Sequence, residues 1–324
     1  MYKIKECRIL VFAAFLFSIS LLNASAQAPK KIRTIVVDAG HGGNEPGAHA
    51  DNEGSMGTYE KNVTLAISNK LVAELKRQMP DTRIVPTRTS DVTQPVKEKA
   101  RIANENHGDL FVCIHADALS LKTGSRITGY RTETYTTTRY VGKGKHKKKI
   151  VTPHQREVAI RQYFKISTTR KGTSTLIFAA RKTGDKIKAM ENSDMLITPN
   201  DDDSTLDINY NSPEWKANAL LYTQNYFKKS FKLGSLIQDE ITDIGRDNLG
   251  VWQRDKGIWV LQATQMPAVL IETGFITTPE DERYLNSEKG QQEIAEAIAK
   301  AIKKYKDQVE NPKLAGQVKD TSSN

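Results

Sequence analysis

Residues 35–48 read IVVDAGHGGNEPGA, and this stretch decides how the fold begins. The apolar run Ile35–Val37 predicts a buried strand that ends at Asp38. Three glycines and a histidine follow within five residues, and glycines allow the backbone to turn tightly. A single histidine between glycines in such a tight turn indicates that the loop holds its imidazole in a specific position. His41 is therefore the first candidate functional residue.

Outward from this stretch, apolar patterns predict an alternation of strands and helices. The predicted helices are 58–79, 96–106, a long helix that opens after Pro213, and 279–305. The predicted strands are TRIVPTR (82–88), DLFVCIHA (109–116), GIWVLQ (257–262) and PAVLIETG (267–274). Strands that alternate with helices favour a parallel sheet with helices on its faces. The expected fold class is α/β: a mostly parallel twisted sheet flanked by helices, in a single catalytic domain with a long polar insertion.

The chain divides into four predicted parts. Residues 1–26 have a basic start, a short apolar run and a small-residue exit, which predicts a secretory signal peptide cleaved after Ala26. The alternative, a retained anchor, is disfavoured because the run is shorter than the roughly 20 residues of a membrane span. Residues 27–306 form the predicted catalytic domain, with 137–212 as its insertion, and 307–324 form a disordered tail. The expected location is the periplasm or cell envelope.

Composition narrows the partner class. The chain has 324 residues and a formal net charge of +10, and removal of the predicted leader, which carries Lys3, Lys5, Arg8 and Glu6, leaves +8. A basic exported protein suits an anionic partner: cell-wall material, acidic polysaccharide, lipid headgroups or nucleic acid. We expect no nucleic-acid partner, because no aromatic-studded nucleic-acid motif is present. After cleavage Cys113 is the remaining cysteine, so no internal disulfide is expected.

Polar residues stand at the ends of three predicted strands. His41 follows the first strand, His115 closes DLFVCIHA, and Glu272 closes PAVLIE. Ligands gather at the carboxyl ends of strands in open α/β sheets, so these side chains are expected to converge. Glu60 opens the helix that leaves the His41 loop. Two histidines and a carboxylate are a common catalytic zinc set with one position open for water, and a further carboxylate would transfer protons.

Each of these residues also has an ordinary structural explanation. His41 alone fits a turn residue, His115 a core histidine, and Glu60 a carboxylate favoured at a helix start. Glu272 is harder to explain in this way, because a carboxylate directly after Val269–Ile271 is costly to bury without a partner. Taken together, the four residues favour a metal site.

Four motifs carry a family resemblance. They are DAGHGG (38–43), EKNV (60–63), CIHADA (113–118) and PAVLIETGF (267–275). In this order and spacing the chain resembles the zinc-dependent N-acetylmuramoyl-L-alanine amidases of bacterial cell division and sporulation, over about residues 32–136 and 213–306. The resemblance implies that His41, Glu60 and His115 bind Zn²⁺ and that Glu272 is catalytic. It further implies a peptidoglycan substrate, the amide between N-acetylmuramic acid and L-alanine, in cell-wall remodelling and daughter-cell separation, and we expect a monomer.

The chain departs from the family pattern in two residues and in its middle region. Cys113 replaces the usual serine and Asp117 the usual asparagine, and Asp117 is expected to adjust the surroundings of the metal. In regulated relatives the middle region blocks the zinc until a protein activator moves it. Glu191 is the candidate blocking residue here, and residues 137–212 are the candidate regulatory insertion.

Two other functions remain open on sequence alone. A non-catalytic peptidoglycan-binding module would hold wall polymer without cutting it, although it has no need for all four site residues. A zinc carboxypeptidase would shorten the stem peptide. The sequence leaves open the glycan and stem preference, the activator and the role of the tail.

Overall fold

The structure is a computed structural model that describes residues 31–179, 213–254 and 257–312. The predicted signal peptide and Glu191 lie outside these ranges. The strands are β1 (Thr34–Ala39), β2 (Arg83–Pro86), β3 (Leu110–Asp117), β4 (Lys122–Val141), β5 (Lys148–Ile166), β6 (Thr173–Phe178), β7 (Asn248–Arg254) and β8 (Ala268–Phe275). The α-helices are α1 (Glu60–Gln78), α2 (Val96–Glu105), α3 (Pro213–Asp243), α4 (Trp259–Ala263), α5 (Pro279–Asn286) and α6 (Glu288–Glu310).

Six strands form one mixed sheet in the order β2-β1-β3-β8-β6-β7. β2, β1, β3 and β8 are parallel, β6 is antiparallel to β8, and β7 is parallel to β6. The predicted α/β class with a mostly parallel sheet is confirmed. Parallel sheets are covered on both faces, which explains why every residue of β1 is buried.

Helix α1 covers β1 and β3 with one apolar face. Val63, Ile67, Leu71 and Leu75 recur at helical spacing and are all buried. Burying a side chain of this size stabilises a fold by roughly 1.5–3 kcal/mol relative to its exposure. The helix ends before Pro80, which cannot continue it. The first residue of the helix, Glu60, lies at the carboxyl edge of the sheet, where its carboxylate accepts a hydrogen bond from Ala116 N.

Two elements between 248 and 263 differ from the prediction. GIWVLQ is not a strand, because Trp259–Ala263 form helix α4. Its buried residues Leu261 and Ala263 belong to a core cluster with Ala100 and Ala103 of α2. A short apolar run fits either a strand or a buried helix, and packing decides between them. The strand in this region is β7, which lies at the edge of the sheet and which the prediction missed.

The predicted insertion boundaries, 137–212, also differ from the structure. β4 and β5 form a separate two-stranded antiparallel hairpin that begins at Lys122 and ends at Ile166. β6 lies inside the predicted insertion but is a buried strand of the main sheet. Its Thr173 hydroxyl donates to the carbonyl oxygen of Thr273 at 3.1 Å, which satisfies a polar side chain in the interior. Hydroxyl side chains such as that of Thr173 made this core strand look polar in the sequence.

Helices α5 and α6 divide the predicted helix 279–305. Ser287 separates them and caps α6, since its hydroxyl accepts from Gly290 N at 2.9 Å. Among the described residues, the sheet belongs to one compact unit, Arg33–Lys303, and residues 31–32 and 304–312 belong to a second unit. In the second unit Ile32 N donates to Glu310 Oε1 at 2.8 Å. Residues 307–310 are helical, so that part of the tail was predicted wrongly. No helix among the described residues is long and apolar enough to cross a membrane.

Candidate metal centre

Three predicted site residues meet at the carboxyl edge of the sheet. Glu60 Oε2 lies 3.0 Å from His41 Nε2, and Glu60 Oε1 lies 2.8 Å from His115 Nδ1. The three potential ligand atoms all lie within 4.8 Å of one another. The two imidazole rings stand 79° apart with their centroids 4.9 Å apart. This cluster could hold one metal ion between two nitrogen donors and one oxygen donor.

The sheet register places the two histidines. Asp38 and Ala39 of β1 pair with Cys113 and Ile114 of β3, so the turn with His41 and the end of β3 with His115 leave the sheet side by side. His41 has a φ of 59°, a left-handed conformation that a residue with a side chain rarely adopts. The DAGHGG turn therefore holds the imidazole in place by a strained backbone.

Two glycines let the loop pack directly on the ligands. A Cβ atom on Gly40 would lie 2.6 Å from the His115 ring. A Cβ atom on Gly47, where φ is 69°, would lie 2.6 Å from Glu60 Oε2 and from His41 Cδ2. Both distances are shorter than carbon atoms tolerate. A larger residue at either position would displace one of the three clustered side chains, which explains the glycines here.

Glu60 is the anionic centre of the cluster. Its carboxylate also accepts hydrogen bonds from Ala48 N at 2.9 Å and Ala116 N at 3.1 Å. Burial raises the pKa of Glu60, but the hydrogen bonds and charges of His115 and His41 outweigh burial and hold that pKa well below its usual range. Burial lowers the pKa of His41, and Glu60 and Glu45 together raise it above its usual value.

Glu272 lies beside the cluster and is not part of it. It pairs in register with His115 on the neighbouring strand β3. Its Oε2 atom is buried and has no hydrogen-bond partner among the described residues. Burial, with the nearby charges of Asp117 and Glu60, raises the pKa of Glu272 to about 8 against a smaller opposing effect of Arg254. A carboxyl group with such a pKa can both accept and return a proton near neutral pH.

A second possible metal cluster, Asp38, Cys113 and His115, is less suitable. Lys99 Nζ lies 3.0 Å from Asp38 Oδ1, and Cys113 Sγ donates to Asp38 Oδ2 at 2.8 Å. Burial raises the pKa of the Cys113 thiol well above its usual value, so the sulfur keeps its proton. A metal binds a thiolate and not a thiol. The Asp38–Lys99 ion pair is buried and stabilises the end of β1.

Comparison with known proteins identifies the family. Residues 35–304 match the N-acetylmuramoyl-L-alanine amidase family, Amidase_3. The chain belongs to this family. It is 27% identical over 273 residues to AmiC of Escherichia coli O6:H1, over 84% of this chain and 52% of that protein. It is 26% identical over 305 residues to a probable AmiB of Haemophilus influenzae, over 92% and 56%. The chain thus spans about half the length of these two relatives.

Solved structures agree on the fold. An N-acetylmuramoyl-L-alanine amidase of Clostridium difficile 630 superposes with a TM-score of 0.52 at 22% identity, over 86% of this chain and 98% of that chain. Cwp6 of Clostridium difficile superposes with a TM-score of 0.51 at 18% identity, over 84% and 29%. At these identities the likeness concerns the amidase fold alone.

Sequence reasoning missed Arg88, which joins the DAGHGG turn to α1. Its Nη2 donates to the carbonyl oxygens of Gly40 at 2.8 Å and Lys61 at 3.1 Å, and its Nε donates to that of Ala39 at 3.1 Å. Arg88 is buried and lies two residues after the end of β2. The available signal was a charged residue close after the apolar Ile84–Pro86 run.

We expect Arg88→Met to lower the free energy of unfolding by about 3 kcal/mol. The substitution removes three hydrogen bonds from a charged group to buried carbonyl oxygens, whose remaining side-chain donors are Thr64 and Lys99. Hydrogen bonds to charged groups contribute about 1.5–3 kcal/mol each. Arg83→Met is the control, since Arg83 is an exposed residue at the start of β2 that binds Asn106, and its substitution should change stability by less than about 0.5 kcal/mol. Urea unfolding measures both. An equal loss of unfolding free energy in both variants would contradict the role of Arg88 in joining the DAGHGG turn to α1.

Proposed function

We propose that this chain is an N-acetylmuramoyl-L-alanine amidase that hydrolyses the amide between N-acetylmuramic acid and the L-alanine of the stem peptide in peptidoglycan. The observation that carries the proposal is the His41–Glu60–His115 cluster with Glu272 beside it, in a member of this family. Export by the predicted signal peptide, action in the periplasm and a role in daughter-cell separation belong to the same proposal.

The residues fit zinc. The two imidazoles and the Glu60 carboxylate supply three donors of the types that catalytic zinc sites use. The Oε2 atom of Glu272, buried and without a partner, adds a second argument, because such an atom needs a proton donor such as a water molecule in the centre. When bound, zinc polarises the lactyl carbonyl and lowers the pKa of a coordinated water.

The chain's own residues then move one proton. Glu272 takes a proton from the attacking water, whose oxygen forms the new bond to the lactyl carbon. The carbon–nitrogen bond breaks, and Glu272 passes the proton to the departing alanine nitrogen. The products are a lactyl carboxylate on the glycan and a stem peptide with a free amino terminus. Glu60 stays anionic throughout, which suits a ligand and not a proton carrier.

We expect Asp117→Asn to shift the pH dependence of the reaction. The charge of Asp117 raises the pKa of Glu272, so its removal lowers that pKa. Glu272 must be deprotonated to act as a base, and the acidic limb of the kcat/KM profile should therefore move to lower pH. The asparagine keeps the oxygen that accepts from Ala118 N. An acidic limb at unchanged or higher pH would show that Asp117 does not act on the base.

Product analysis of digested sacculi tests the proposed function. An amidase releases whole stem peptides that begin with L-alanine. A zinc carboxypeptidase gives shortened stems that remain on the glycan, and a binding module gives no new product. Only whole stems support the proposal, and either other outcome contradicts it.

Regulation by a protein activator stays a prediction. A blocking role for Glu191 falls on residues outside the described ranges. A deletion that tests a regulatory segment must spare β6, because residues 173–178 belong to the main sheet. Removal of residues 181–211 meets this condition. A variant that digests sacculi at the wild-type rate, with no activator needed by either protein, would contradict a gate in that segment.

A further inference from the structure

The hairpin β4–β5 projects from the sheet as an arm of its own. Its pairing runs from Lys122 opposite Ile166 to Val141 opposite Lys148, and its two strands pair with no other strand among the described residues. Strands of this length extend roughly 65 Å at about 3.3 Å per residue. Most of its side chains are exposed on both faces. Neither a core nor the amidase reaction explains so long an arm.

The hairpin has a net charge as large as that of the whole chain. Residues 122–166 contain twelve Lys and Arg against two Glu, a net charge of +10 that equals the net charge of all 324 residues. The remaining residues of the chain are therefore neutral in sum. The positive field that an anionic partner would meet comes from the hairpin.

Four of the seven cations in the stem of the hairpin, residues 122–139 and 152–166, form ion pairs with carboxylates. Arg126 Nη1 lies 2.7 Å from Glu53 Oε1, and Lys165 pairs with Asp51 at the base. Arg131 and Arg156 both lie 3.0 Å from Glu133, one on each of its oxygens. These pairs offset part of the charge of the stem, and those with Glu53 and Asp51 tie the hairpin to the loop that precedes α1.

The tip of the hairpin, residues 140–151, is different. Its five lysines are exposed and form no ion pair with any described residue: Lys143, Lys145, Lys147, Lys148 and Lys149. Apolar side chains flank them and face solvent, with Tyr140 64%, Val141 48% and Val151 49% exposed. Unpaired lysines next to exposed tyrosine and valine are typical of a surface that enters a lipid headgroup layer.

We propose that the tip docks on an anionic lipid surface, with phosphate headgroups around the lysines and Tyr140, Val141 and Val151 in the interface. A linear anionic polymer would follow the stem, where four cations are already paired with protein carboxylates. A flat surface meets the tip alone, where the unpaired lysines are concentrated. Each lysine near such a surface strengthens binding roughly fivefold, and salt weakens it. This inference does not depend on amidase activity.

Vesicle sedimentation with the full chain tests the proposal. We compare phosphatidylglycerol–phosphatidylcholine vesicles with phosphatidylcholine vesicles at low salt. The tip variant is Lys145→Gln/Lys147→Gln/Lys149→Gln, expected to bind the anionic vesicles roughly a hundredfold more weakly. The control is Lys76→Gln/Lys97→Gln/Lys289→Gln, which removes the same charge from exposed positions outside the hairpin and should bind as wild type does.

Three outcomes would overturn the proposal. The first is no binding of the wild type to anionic vesicles, and the second is an equal loss in the tip and control variants. The third is binding of lipid-free sacculi that is as tight as vesicle binding and that the tip variant loses, which would assign the tip to a wall polymer. Loss confined to the tip variant and to anionic vesicles supports the lipid surface.

Discussion

Glu272→Gln is expected to lower turnover on sacculi by about 10²–10⁴-fold, the usual contribution of a general acid–base group. Glutamine has nearly the same shape but cannot take a proton from water. Glu272 is next to the metal cluster and outside it, so zinc content and the free energy of unfolding should stay at the wild-type level. Rates of dye release from labelled sacculi measure the loss.

Glu288→Gln is the matched control for this prediction. Glu288 is an exposed carboxylate at the start of α6, and its substitution should change turnover by less than twofold. Turnover of Glu272→Gln within a few-fold of wild type, in protein that still binds zinc, would remove Glu272 from the mechanism.

His115→Ala is expected to reduce zinc from about one ion per chain to near zero, and to abolish activity with it. The change leaves two of three protein ligands, and metal affinity depends steeply on the ligand set. His41→Ala should behave in the same way. Elemental analysis of protein purified with limiting zinc measures the content.

His49→Ala is the control for the ligand variants. His49 lies in the same loop region but stacks on the ring of Tyr59 with centroids 4.2 Å apart, away from the cluster. It should retain the wild-type zinc content. Equal zinc in wild type, His41→Ala and His115→Ala would contradict the proposed ligand set.

The sequence predicted the part of the fold that positions the site. Apolar runs that end in a polar residue located β1, β3 and β8, and the rule for carboxyl ends of parallel strands brought His41, His115 and Glu272 together. The prediction missed β6 because its residues Thr173 and Thr175 are polar, although both are buried in the core. The prediction missed helix α4 because a segment of five residues is too short to show a helical period.

The electrostatics of the site could not be predicted from sequence. The pKa of Glu272 depends on how far burial and Asp117 outweigh Arg254, a residue on a strand that the prediction did not identify. The role of Arg88 depends on carbonyl oxygens from the DAGHGG turn and from α1. Such effects arise from packing between distant segments, which local patterns do not contain.

Anomalous diffraction at the zinc absorption edge, on crystals of the full chain, tests the central claim most directly. We expect one strong peak at about 2.0–2.2 Å from His41 Nε2, His115 Nδ1 and a Glu60 oxygen, with Glu272 outside bonding distance. A zinc peak bound by Asp38 and Cys113, or no peak at the His41–Glu60–His115 cluster in active protein, would contradict the proposed centre.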